Sequence, residues 1–216
     1  MPKQTTKQIR NNRKRGKYFE ARIAELITLS LQSVNLPIKD RDIVRTPMSG
    51  SLAVGSCGDI TKESPAAKKA FPWTVECKNQ KDFPSLEMIL GCKKGRYAKF
   101  QKCWDQAVDQ SVESTNKNGL VELPLLIWKI EKSGLFLCAF SDYVPQGVQA
   151  KYMHDAFNKF AYENKILISS FDYFLLSIAK LSKAWFNKDI SLIEYVGFLC
   201  KRIRPVMVLP KKNDKG

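Results

Sequence analysis

The chain has 216 residues, with 36 Lys and Arg against 21 Asp and Glu, a formal net charge of +15 and a pI near 9.6. A hydrophobic share of 44% is enough for a packed core, which excludes a chain disordered throughout, and the length fits one domain. The charge excess points to a polyanionic partner, with nucleic acid ahead of an anionic membrane surface.

Residues 1–16 contain Lys3, Lys7, Arg10, Arg13, Lys14 and Arg15 and no acid, a composition expected to form a flexible basic arm. From Lys17 a helical pattern begins, with Phe19, Ile23, Leu26, Ile27 and Leu31 on one arc, and it stops before Asn35-Leu36-Pro37. Glu20 falls on that apolar arc between Ile27 and Leu31, whereas Glu25 projects about 140° away. A carboxylate at the edge of a buried stripe either pairs with a local cation or serves a site, because unpaired it is costly. Thr46 to Gly58, rich in Gly and Ser, reads as a loop or short strand pair whose backbone can approach something closely. Lys62 to Ala70 reads as a polar, proline-containing excursion.

Trp73 to Lys78 alternates with period two, so Trp73, Val75 and Cys77 share one face and Thr74, Glu76 and Lys78 the other. Tyr97, Phe100, Trp104, Ala107, Val108 and Ser111 make the stripe of a second amphipathic helix, with Gln106 and Gln110 outside it. Leu123–Ile130 and Leu135–Phe140 flank a turn at residues 131–134, a hairpin signal. Beyond it, Asp155–Tyr162 reads weakly helical, Ile166–Ser169 as a short strand, and Asp172 as the cap of a helix to about Leu181. The expected organisation is an arm (1–16), a single domain over 17–183 with its motifs in 17–140, and a C-terminal extension with a basic tail over 184–216. The order of elements implies an α/β domain, a mixed central sheet flanked by helices.

Several chemistries lack their residues. The six cysteines include no C-x-x-C pair, the single His154 has no G-x-S-x-G partner for a serine hydrolase, and no Lys-Ser/Thr follows Gly50–Gly55 as a phosphate loop requires. No organic cofactor is expected. No apolar run approaches the ~20 residues of a membrane span and the N-terminus carries no apolar signal stretch, so a cytoplasmic protein without a membrane partner is expected.

What remains is Asp59, then Glu76-x-Lys78, with Glu20 available from the first helix. Two carboxylates offer hard oxygen ligands to Mg²⁺, which keeps several waters and accepts phosphate oxygens, and a lysine on the same strand face can hold water or stabilise an oxyanion. Glu-x-Lys also occurs at Glu163-Asn164-Lys165, where no Gly-Asp precedes it and no apolar alternation surrounds it; there it reads as a solvated charge pair.

Lys17-Tyr18-Phe19-Glu20, Arg45, Ser49, Gly58-Asp59-Ile60, Val75-Glu76-Cys77-Lys78 and the Gln106/Gln110 helix together resemble the PD-(D/E)xK nuclease superfamily, closest in flavour to archaeal and phage-type Holliday-junction resolvases. The resemblance covers about residues 16 to 130, with Gly58 in place of the proline of the motif. It implies a restriction-endonuclease-like core, Mg²⁺ with Mn²⁺ able to substitute, and cleavage to 5′-phosphate and 3′-hydroxyl ends. It implies Asp59, Glu76 and the Cys77 carbonyl as metal ligands, Lys78 as the catalytic lysine, and Glu20 as an accessory acid reaching the metal through water. Arg13, Lys14, Arg15, Lys17, Arg45 and Ser49 are the expected DNA-binding residues. The expectation is a Mg²⁺-dependent endonuclease acting on branched DNA as a homodimer, since two symmetry-related cuts suit a two-fold pair of sites. The alternatives are another nuclease on the same core, of restriction or repair type, and a non-catalytic basic nucleic-acid-binding protein.

Overall fold

A computed structural model describes residues 6–47, 58–80, 83–84, 89, 94–130, 134–142, 144, 166–203 and 207–209. Ser49, His154, the weakly helical segment 155–162 and the Glu163–Lys165 pair lie outside the described residues.

The first helix, α1, runs Thr6–Gln32 and so begins eleven residues before the expected start. Residues 6–16, expected as an irregular arm, are its first three turns. None of the residues there whose exposure is described is buried, and without an apolar stripe they give no helical periodicity to read. From Phe19 onward the helix buries Ile23, Ile27 and Leu31, on the arc the pattern indicates. A short antiparallel pair follows, β1 (Ile43–Arg45) with β2 (Ile60–Lys62). The expected excursion at Lys62–Ala70 is ordered instead. Ser64 caps helix α2 (Pro65–Ala70) by accepting the Ala67 N–H, with Pro65 at the start where its missing N–H costs nothing.

Five strands then make one mixed sheet in sequence order: β3 (Trp73–Lys78), β4 (Leu123–Lys129), β5 (Phe136–Ser141), β6 (Ile166–Ser170) and β7 (Met207–Leu209). The β3–β4 pair is parallel and joined across helix α3 (Lys94–Asn118); the other pairs are antiparallel. Helix α4 (Phe171–Phe186) is capped by Ser170, whose hydroxyl accepts the Tyr173 N–H; Asp172 sits inside the first turn rather than at the cap. Helix α5 (Leu192–Arg202), unexpected from the sequence, opens with a full capping box between Ser191 and Glu194.

The sheet has a core on each face. On one side Trp73, Val75, Leu125, Ile127, Cys138 and Phe140 pack with residues of α1, α2, α4 and α5. On the other, Leu126, Trp128, Ala139 and Ile168 pack against Phe100, Trp104, Ala107 and Val108 of α3. This is the α/β class with a mixed sheet flanked by helices, consistent with a restriction-endonuclease-like core. The expected boundary at residue 183 meets no break in packing, because Tyr195, Val196 and Leu199 of α5 join the first core and β7 extends the sheet.

Candidate active site

β3 is the edge of the five-stranded sheet, and the candidate residues gather on and beside it. Its alternation places Glu76 and Lys78 on the face toward α3, as the period-two pattern requires. Because α3 covers that face, Glu76 is buried, at 2% exposure. Gly58 and Asp59 run along the free edge. The Asp59 N–H donates to the Val75 carbonyl at 2.8 Å, and Asp59 Oδ2 accepts the Cys77 N–H at 2.8 Å. Gly58 makes this approach possible. It has φ +84°, and a Cβ there would lie 2.8 Å from the Val75 carbonyl oxygen, closer than any side chain tolerates.

The Lys78 ammonium pairs with Glu76 Oε1 and also donates to Gln106 Oε1 of α3 at 3.1 Å. The other Glu76 oxygen, Oε2, is buried and has no hydrogen-bond partner. Burial, then the charge of Glu76, pushes the Asp59 carboxyl up from its ordinary 3.8 to about 8, and the Glu20 charge adds to this. Burial works to lower the Lys78 ammonium, but attraction to Glu76 outweighs it and leaves the group above its ordinary range. Two carboxylates thus share a largely buried site with one lysine, one acceptor unfilled and one acid reluctant to ionise. That is the electrostatic condition a divalent cation relieves, and the donors are of the hard oxygen type that Mg²⁺ prefers.

Asp59, Glu76 and Lys78 are therefore brought together. Glu20 reaches them through its field, while its side chain is engaged by Arg45 of β1 at 3.5 Å. Arg45 in turn donates to the Thr46 carbonyl at 2.9 Å. Among the described residues no three His, Cys, Asp or Glu side chains converge on one metal position, so the set is an acidic pair with Glu20 further out. The Gln106 contact to Lys78 is not visible in the helical pattern, which places Gln106 simply outside the apolar stripe. Neither is Asn79, whose Nδ2 donates to the Arg15 carbonyl at 3.2 Å and ties α1 to the end of β3.

The family model described as phage putative PDDEXK endonuclease matches residues 11–191. The chain belongs to this family. It is a nuclease of the PD-(D/E)xK type, a superfamily that generally uses divalent metals, and the match runs from the second turn of α1 to the cap of α5. Comparison with curated proteins and with solved structures gives no match. Among the described residues no helix is long and apolar enough to cross a membrane.

Proposed function

We propose that the protein is a Mg²⁺-dependent endodeoxyribonuclease that cuts branched DNA, as a Holliday-junction resolvase does in recombination, inside the cell and as a homodimer. The observation that carries the metal-dependent reading is the carboxylate pair, Glu76 buried with one oxygen unfilled and Asp59 half-buried, beside a lysine on the same strand face as Glu76. The +15 charge supports a DNA substrate.

In this reading Asp59, Glu76 and the Cys77 carbonyl hold the cation, with Mn²⁺ able to replace Mg²⁺. The cation supplies positive charge against the scissile phosphate and makes a nearby water more acidic. Lys78, steadied by Gln106, hydrogen-bonds that water or the oxygen on which negative charge builds during attack at phosphorus. The P–O3′ bond breaks, leaving 5′-phosphate and 3′-hydroxyl ends. Glu20 acts from outside, its carboxylate oriented by Arg45. Arg13, Lys14, Arg15 and Lys17, with Arg45 and Ser49, hold the DNA backbone around the cut.

The test is incubation with matched linear duplex, single-stranded, flap and four-way-junction DNA, with and without Mg²⁺. Paired symmetric cuts in the junction alone, requiring Mg²⁺, are expected. Equal cutting of linear duplex would favour a restriction or repair role, and tight binding with no cutting in Mg²⁺ or Mn²⁺ would leave a binding protein.

A further inference from the structure

The first turns of α1 carry a second ordered feature. At 100° per residue, Arg10, Arg13, Lys14 and Lys17 fall within an arc of about 100°, so they form one stripe along the helix rather than a ring around it. All four are exposed, no acid occurs between Thr6 and Phe19, and no ion pair among the described residues engages them. The stripe spans about 10 Å of rise and ends one turn before Glu20 on the same helix. It is also tied to the catalytic strand, because Asn79, next to Lys78, holds the Arg15 carbonyl.

We infer that this segment is a rigid docking rod. The stripe lies on the phosphates of duplex DNA flanking the cut, and helix continuity into Glu20 fixes the distance from those phosphates to the active site. This rests on the nuclease reading for the cut itself, but not for the docking. A flexible arm would add affinity by counterion release wherever it lands. A rod adds the same affinity and also sets where the strand lies, which α1 is built to do, since one element carries the stripe and passes the Asp59–Glu76 pair.

Gly16 sits between the stripe and the body and allows a charge-neutral test. A Cβ there would meet only Glu20 Oε1, at an ordinary 3.6 Å, so Gly16→Ala fits and stiffens the helix. Gly16→Pro breaks it, because the ring strikes the carbonyl four residues back. Hydroxyl-radical footprinting in chelator, salt-dependent binding and single-turnover cleavage at saturating protein are measured for both, alongside Arg10→Gln/Arg13→Gln/Lys14→Gln. The parent and Gly16→Ala are expected to protect a defined run of phosphates beyond the body's footprint. Gly16→Pro should lose that run and cleave at least tenfold slower, while its salt slope changes by less than one. The triple variant should lose about two to three units of slope, near 0.9 for each phosphate released. A Gly16→Pro protein with the parent's footprint and cleavage rate overturns the rod in favour of a mobile tether. An unchanged slope in the triple variant overturns the phosphate contact. If the parent cuts nothing yet shows the extended footprint, the rod stands and the nuclease reading falls.

Discussion

Among the described residues, two lysine–glutamate pairs meet at β3, and they are built to opposite ends. Lys62 of β2 pairs with Glu122 at 2.6 Å, with both side chains at or below 6% exposure. The ammonium also donates to the carbonyls of Phe71 and Trp73, while Glu122 accepts from Thr74 Oγ1 at 2.6 Å and from Asn118 Nδ2 at 3.1 Å. Both carboxylate oxygens are satisfied, and the pair joins β2, the entry to β3 and the end of α3. Glu76 and Lys78, one and two pleats beyond Thr74 on the same strand face, form a pair with Glu76 buried and Lys78 partly exposed, and it is incomplete: Glu76 Oε2 lacks a partner and Asp59 crowds beside it. A filled network closes on itself and holds strands together. An unfilled one of the same residue types leaves an acceptor open to a water or a cation.

The largest expected effect is on catalysis at the unfilled pair. Glu76→Gln and Asp59→Asn should each lower cleavage by ~100-fold or more, with Lys78→Ala close behind, while DNA binding stays near the parent's and the melting temperature does not drop. Cleavage rate and thermal melting on the same preparations check this, and retained activity in Glu76→Gln would remove the site.

The filled pair should respond the other way. Lys62→Met leaves Glu122 buried without its cation, a loss of about 3–5 kcal/mol in denaturant titration, with cleavage per folded molecule little changed. A Lys62→Met protein as stable as the parent would mean that the closed network is not what joins these strands.

A smaller effect separates the pairs by pH. Asp59 titrates near 8 in the folded protein against 3.8 normally, so the folded state holds that proton more tightly. The associated stability is complete below about pH 4 and is lost as pH rises through 8. In chelator the melting temperature should therefore fall across this window, Asp59→Asn should flatten the fall, and added Mg²⁺ should reverse it. Smallest of all, Glu20→Gln should slow cleavage several-fold without moving the melting temperature; a drop in stability with unchanged rate would instead make the Arg45 contact structural.

Much of this site was legible because its signals are local. Period-two alternation puts Glu76 and Lys78 on one face, and the helical arc exposes Glu20 as out of place. Gly58-Asp59 is legible as a pair, but its reason is tertiary: only the nearby Val75 carbonyl shows why glycine is needed. The Lys62–Glu122 network was invisible, since its partners lie 60 residues apart. The first turns of α1 were misread because a helix with no buried face has no apolar period. Helix α5 has a local signal too, because Ser191-Leu192-Ile193-Glu194 spells a capping box, yet it is not among the elements expected from the sequence.

The Gly58–Asp59 contact with β3 has a consequence for handling the protein. A sheet edge offers unpaired N–H and C=O groups to any passing strand, and here two of those groups, on Val75 and Cys77, are occupied by the same residue that is a candidate metal ligand. Truncating Asp59 to alanine would open the Cys77 donor and leave a site for strand-to-strand self-association, whereas asparagine keeps an acceptor in place. A variant meant for trapping DNA complexes is therefore better made as Asp59→Asn than as Asp59→Ala, because the side chain at this position also guards the edge.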